Sequence, residues 1–191
     1  MSERPVQDRI LDAAERLCQT RGYNGFSFRD LAAIVGMRAA SIHYHFPTKS
    51  DLGKALIQRY RQKMETALGQ IERKESTCTG RIRALAAFLR GMVRDGGKMC
   101  LCGILAAEAG SLPEEMRKEL RRFFDDCEAW LASELAEGRA RRELLFSGSV
   151  ASAARTIMAV LEGAMMTSRA FDDEKRLSES AHWLLGQLAP G

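Results

Sequence analysis

Apolar side chains recur at three- and four-residue intervals along almost the whole of this chain, and no convincing stretch alternates apolar and polar with period two. That pattern suits helices and leaves no strand able to bury one face, so the expected fold is all-α. Segment 6–21 sets Val6, Ile10, Ala13, Ala14, Leu17 and Cys18 on one helical face, with Gly22 as its stop. Ser27-Phe28-Arg29-Asp30 reads as a capping box, the serine accepting from the Asp30 amide while the aspartate reaches back. The helix it opens is short, because Gly36 follows Leu31, Ile34 and Val35. A second short helix, about Ala39 to Phe46, is closed by Pro47, and Thr48 caps a long one through residue 73. The polar stretch Glu72–Gly80 reads as the break between head and body. Helices are expected beyond it near 80–95, 100–109, 114–138, 149–170 and 174–188. The four prolines, at 5, 47, 113 and 190, all fall where helices start or end.

Composition narrows the function. An apolar share of 46 % is that of a globular chain, yet no uncharged apolar run is long enough to span a membrane. The first ten residues, MSERPVQDRI, lack the apolar core of a secretion signal, so a cytoplasmic protein is expected. Cys18, Cys78, Cys100, Cys102 and Cys127 are odd in number and irregularly spaced, which suits free thiols in a reducing compartment. They form no zinc-type cluster with histidine, and neither metal nor cofactor is expected. Enzyme signatures are missing too: there is no Gly-rich phosphate loop and no nucleophile elbow. Positive charge is concentrated instead. Residues 1–63 hold eleven Lys/Arg against six Asp/Glu, a balance of +5, while the remainder holds eighteen against nineteen. An excess confined to the first third is where a footprint on phosphates would need it.

Phe28–Val35, the turn Gly36-Met37 and Arg38–Phe46 have the proportions of a helix-turn-helix, in which the second helix lies in the major groove. Ala32 and Ile34 are of a size to let the two helices pack closely. Arg38-Ala39-Ala40-Ser41 would let the backbone approach a groove, and His43-Tyr44-His45 supplies donors for phosphates. On these residues alone, two ordinary packed helices would serve equally well. Residues 9–52, however, resemble the N-terminal domain of the TetR/AcrR family of repressors. The ordered matches are Ile10-Leu11-Ala13-Ala14, Gly22-Tyr23, Ser27, Asp30-Leu31-Ala32, Gly36, Ser41, His45-Phe46, Lys49 and Leu52. The resemblance implies DNA contacts at Ser27, Arg38, Ala39, Ser41, His43, Tyr44, His45 and Lys49. Arg38 stands where a small capping residue is usual, and His43 where tyrosine is common; both bear on which operator is read. Lys49, at a helix start, is expected to meet a phosphate.

This divides the chain into a three-helix DNA-binding head, 1–48, and a helical regulatory and dimerisation body, 49–191. The resemblance implies a homodimer on double-stranded operator DNA. Its last two helices would pair with their symmetry mates through Ala154, Ile157, Leu161, Ala164, Leu177, Ala181, Leu184, Leu185 and Leu188; ordinary core packing would use the same residues. His182 reads as part of that surface rather than as a catalytic base. A chamber for a small hydrophobic or electrophilic inducer is expected among Met64, Leu68, Phe88, Met92, Leu105, Phe124, Cys127, Trp130 and Met165, with core packing again the alternative. The helix 49–73 would couple chamber to head. Cys100-Leu101-Cys102 through Glu108 is similar to a branch of the family, the N-ethylmaleimide-responsive one, that senses electrophiles or oxidants through a cysteine. The sensor would fall on Cys100, its thiolate favoured by Lys98 and a helix N-terminus. The bland alternative is that Cys100 and Cys102 are simply buried. Constitutive DNA binding without an inducer, and thiol redox chemistry at Cys100 and Cys102, are the competing functions.

Overall fold

The computed structural model describes residues 5–188, and every regular element within them is helical. In chain order these are α1 (Val6–Arg21), α2 (Phe28–Val35), α3 (Ala39–His45), α4 (Lys49–Lys74), α5 (Cys78–Arg94), α6 (Leu101–Ala107), a 3₁₀ turn at Ala109–Ser111, α7 (Glu114–Ala140), α8 (Val150–Ala170) and α9 (Lys175–Leu188). Pro5, Pro47 and Pro113 sit at helix ends as expected, whereas Pro190 and the opening MSER lie outside the described residues. No helix among the described residues is long and apolar enough to cross a membrane.

The polar break is shorter than its composition suggests. α4 runs to Lys74 and α5 starts at Cys78, because the Thr77 hydroxyl accepts from the Gly80 amide at 3.0 Å and caps the new helix. Glu72, Arg73 and Lys74 are the exposed end of a helix, not a linker.

The chain forms two compact units. One comprises the chain up to Gln62 together with Leu101–Phe123; the other comprises Lys63–Cys100 and the chain from Phe124 onward. The expected boundary after residue 48 is thus one of motif rather than of packing. In the first unit, Leu52, Leu56 and Ile57 of α4 are buried in the same core as Ile10, Leu31, Ile42, Leu105 and Met116. Gly53 permits this closeness, since a Cβ there would stand 2.5 Å from the Met116 sulfur. Polar ties reinforce it: Arg59 pairs with Asp12 at 2.9 Å and Glu15 at 2.8 Å, and Arg9 donates to the Val35 carbonyl at 2.8 Å.

In the second unit α8 packs on α9, and both pack on α5. Here one expectation is corrected. Ala154, Ile157, Leu161, Ala164, Leu177, Ala181, Leu184, Leu185 and Leu188, read as the surface for a second copy, are all buried within the single chain. A helix pair must first use its apolar stripe on its own neighbours. What α8 and α9 leave to solvent is a different set, which includes Ala159, Gly163 and Met166 on one and Trp183 (65 % exposed) and Gln187 on the other.

Candidate nucleic-acid interface

The local geometry of the head follows from its caps. Ser27 and Asp30 close a capping box, the Ser27 amide donating to Asp30 Oδ2 at 2.7 Å and the Asp30 amide donating to Ser27 Oγ at 3.4 Å. The Ser27 hydroxyl also donates to that carboxylate at 2.6 Å, which together with the amide bond holds the Asp30 carboxyl below the usual range. Ser27 is therefore exposed but committed to capping, and its hydroxyl proton is not on offer to a phosphate. At the other end of α2, Gly36 adopts φ 71° and ψ 39°, and the Met37 amide donates back to the Ala32 carbonyl at 3.0 Å. This left-handed residue turns the chain into α3, and a side chain there would be strained.

Arg38 is the N-cap of α3, and its side chain makes no cap bond, in keeping with its departure from the usual small residue. Within α3, Ile42 is fully buried, so the opposite face carries Ala40 and Tyr44, four residues apart and both exposed. Tyr44 is 85 % exposed. Arg38 and His43 are exposed beside this ridge, Ser41 is half-buried, and Ala39 and His45 lie on the more covered flank. The His43 ring meets Phe28 edge-on at 4.6 Å, and its Nδ1 lies 3.3 Å from the Pro47 carbonyl. Because a carbonyl only accepts, this contact calls for the proton on Nδ1.

Lys49 departs from expectation. Its ammonium donates to the Phe26 carbonyl at 2.5 Å and sits 4.6 Å from the centres of both the Tyr23 and Phe26 rings. Burial lowers its pKa, with Cys18, Glu108 and Asp30 opposing. The side chain is turned into the head, where it braces the segment before α2. Ile34 also differs: Ala32 is buried between the helices, but Ile34 is 51 % exposed. Two residues not among the expected DNA contacts are exposed here, Ala40 and Arg29, the latter without an ion pair among the described residues. The signal for Ala40 was present, since it stands opposite Ile42 on the helical wheel.

Glu108, noted in sequence only for its place after Cys100, has a structural task within the first unit. Its carboxylate accepts from the Tyr23 and Asn24 amides at 2.9 and 3.0 Å and from Asn24 Nδ2 at 2.6 Å. It thereby ties the end of α6 to the turn that leads into α2.

The thiols are shielded. None of the five cysteines is in a disulfide, all are buried, and Cys100 and Cys102 are 0 % exposed. Lys98 pairs with Asp95 in a lysine–aspartate ion pair, so its charge is already answered. The neighbour of Cys100 in the second unit is an acid, Glu162, whose carboxyl oxygens are buried with no N–H or O–H partner among the described residues. Burial raises the Glu162 pKa, and the Cys100 thiol opposes that in part. These surroundings do not favour a thiolate as the sequence suggested. Burial likewise pushes Cys18 up to about 12 and Cys78 up to about 11. Cys78, Glu134 and Glu137 gather their donor atoms within 4.8 Å of one another. The Arg81 guanidinium already pairs with both carboxylates there, at 3.1 and 3.3 Å.

Of the expected chamber residues, Leu105 is buried in the first unit, and Met64, Leu68, Cys127 and Met165 are buried in the second. Met92, Phe124 and Trp130 are half-buried, Phe88 is exposed, and the Trp130 indole donates to Glu72 Oε1 at 2.7 Å. None of them lines the cavity of ≈ 500 Å³ that opens between α5 and α9.

Comparison with known proteins agrees with this architecture. Residues 10–56 match the model of the tetR family of bacterial regulatory proteins, and residues 78–184 match the tetracyclin repressor-like C-terminal domain. A solved TetR-family transcriptional regulator from Agrobacterium tumefaciens superposes with a TM-score of 0.94 at 34 % identity, covering 97 % of this chain and 98 % of that one. The HTH-type transcriptional repressor NemR of Escherichia coli is 25 % identical over 171 residues, 88 % of this chain and 86 % of that protein. The nucleoid occlusion factor SlmA of a Marinomonas species is 26 % identical over 154 residues, 81 % of this chain and 78 % of that protein. A helix-turn-helix head with an outward second helix, joined to a body of the matching type, makes this chain a DNA-binding transcriptional regulator of the TetR family.

Proposed function

We propose that the protein is a homodimeric repressor that holds operator DNA through α3 and releases it when a small hydrophobic inducer binds its body. The observation that carries the DNA-binding half is the outward ridge of α3, Ala40 and Tyr44 flanked by Arg38 and His43. Arg38 and Arg29 have no ion pairs among the described residues and supply phosphate contacts; Tyr44 and His43 reach base edges or sugar. Lys49 joins them only by giving up the Phe26 carbonyl.

The dimer uses the outer faces of α8 and α9, where Ala159 and Gly163 allow close approach and Met166 and Trp183 supply apolar area. Release follows by linkage: an inducer preferring a body conformation that disturbs the head lowers DNA affinity by the same factor. The Glu108 grip on Tyr23 and Asn24 is a path for it, since the chain runs directly from Cys100 through α6 to that carboxylate. Electrophile sensing at Cys100 then requires this segment to open first, because the thiol is covered. Selection of bound fragments from genomic DNA, followed by mobility-shift titration with and without hydrophobic ligands and N-ethylmaleimide, tests the scheme. Bound fragments released by a ligand support it, and no bound fragment at low salt removes it.

A second reading, constitutive DNA binding with no inducer, is favoured by the similarity to the nucleoid occlusion factor SlmA. Fragments bound equally with and without every ligand would decide for it.

A further inference from the structure

The cavity between α5 and α9 has walls unlike the rest of the second unit. Its floor is apolar, with Ala86, Ala181 and Leu185 buried. Its rim is cationic: Arg83 and Arg90 come from α5, and Ser178 and His182 face them from α9. No aspartate or glutamate is among the lining residues. Some arginines elsewhere in this unit are answered by acids, Arg81 by Glu134 and Glu137, Arg141 by Glu137 and Arg155 by Glu128. Arg83 has no ion pair among the described residues, and Arg90 donates only to the Ser178 hydroxyl, at 3.2 Å.

We propose that this groove binds a small organic anion, a carboxylate carrying a short apolar body. Its ≈ 500 Å³ lies within the range of small-ligand sites, ~300–1,000 Å³, in which an apolar lining holds the body and a few polar groups fix orientation. Arg83 and Arg90 are seven residues apart, hence on one face of α5 and ~10 Å apart along its axis. A carboxylate is matched by a guanidinium fork, which gives two parallel charge-assisted bonds. The Arg90 end is the better prepared, because Ser178 already orients the guanidinium and its own hydroxyl proton is free to donate to the anion. The apolar body then lies over Ala86 and Leu185 toward Arg83, whose charge adds to the field along the groove. The groove is separate from the expected inducer chamber, none of whose residues lines it, and from the proposed dimer face, since Ser178, His182 and Leu185 share the α5 flank of α9 while Trp183 and Gln187 share another.

Isothermal titration of the full-length protein with octanoate, octan-1-ol and octylamine, with methyl NMR to locate the ligand, tests the assignment. Octanoate is expected to bind and to shift the Ala86, Ala181 and Leu185 methyls, octylamine not to bind, and octanol to bind at least about tenfold more weakly. The pair Arg83→Gln with Arg90→Gln is expected to weaken octanoate by about tenfold or more and to leave octanol unchanged. Octanoate binding no better than octanol, shifting methyls outside the groove, or failing to bind at all would overturn the proposal. The comparison of the three ligands on the unaltered protein keeps the test independent of how well the double variant folds.

Discussion

At the scale of single residues, what matters is where each polar group has already spent its bonds. Gly36 holds a left-handed backbone with nothing near its missing Cβ, so Gly36→Ala costs conformational energy alone. Denaturant unfolding is expected to show a loss of about 1–2 kcal/mol, with no change in the slope that would signal a different fold. The thiols give a second prediction. With Cys18 pushed up to about 12 and Cys78 up to about 11, both are protonated near neutral pH, and both are buried. Mild N-ethylmaleimide followed by mass spectrometry is expected to leave both unlabelled in the folded protein and to label both after denaturation; labelling of either without unfolding would show that its shielding is broken. The sequence alone disclosed the capping box and the glycine stop, because each is written in three or four adjacent residues. It did not disclose where Lys49 spends its bonds when DNA is absent. Lys49 and Ser27 both carry groups that suit a phosphate; the carboxylate that holds Ser27 is already written in the capping box, whereas the Phe26 carbonyl that holds Lys49, twenty-three residues away, cannot be read from local spacing.

At the scale of elements, helix positions were legible nearly to the residue, since apolar period, caps and prolines all agree. The partner of each apolar stripe was not. A stripe such as Ile157, Leu161 and Met165 looks the same whether it meets the same chain or a second copy, and here it meets α9 and α5. The surface left for a dimer is found only once the buried one is subtracted. Trp183→Glu is therefore expected to shift the protein toward monomer in sedimentation at micromolar concentration, whereas an equally dimeric variant would move the interface elsewhere. Within the first unit, Glu108→Ala removes the acceptor for two backbone amides and an asparagine side chain. It is expected to cost about 1–3 kcal/mol in thermal or denaturant unfolding, and a neutral result would deny the grip on the turn before α2.

For the molecule as a whole, positive charge and the outward helix fall in the same third of the chain, and that coincidence joins fold to function. Binding that neutralises phosphates must weaken as salt rises, and Arg38→Ala is expected to weaken all sequences while reducing the salt slope by about one ion. The most direct trial of the account places a negative charge on the outward ridge of α3. Ala40 is exposed and lies in the first turn of its helix, where glutamate is tolerated, so Ala40→Glu leaves the fold intact. Titrated against a genomic fragment selected with the unaltered protein, the variant is expected to lose affinity by about a hundredfold or more, through like-charge repulsion and desolvation. A folded, dimeric Ala40→Glu protein that bound the fragment as tightly as the original would mean that another surface meets DNA.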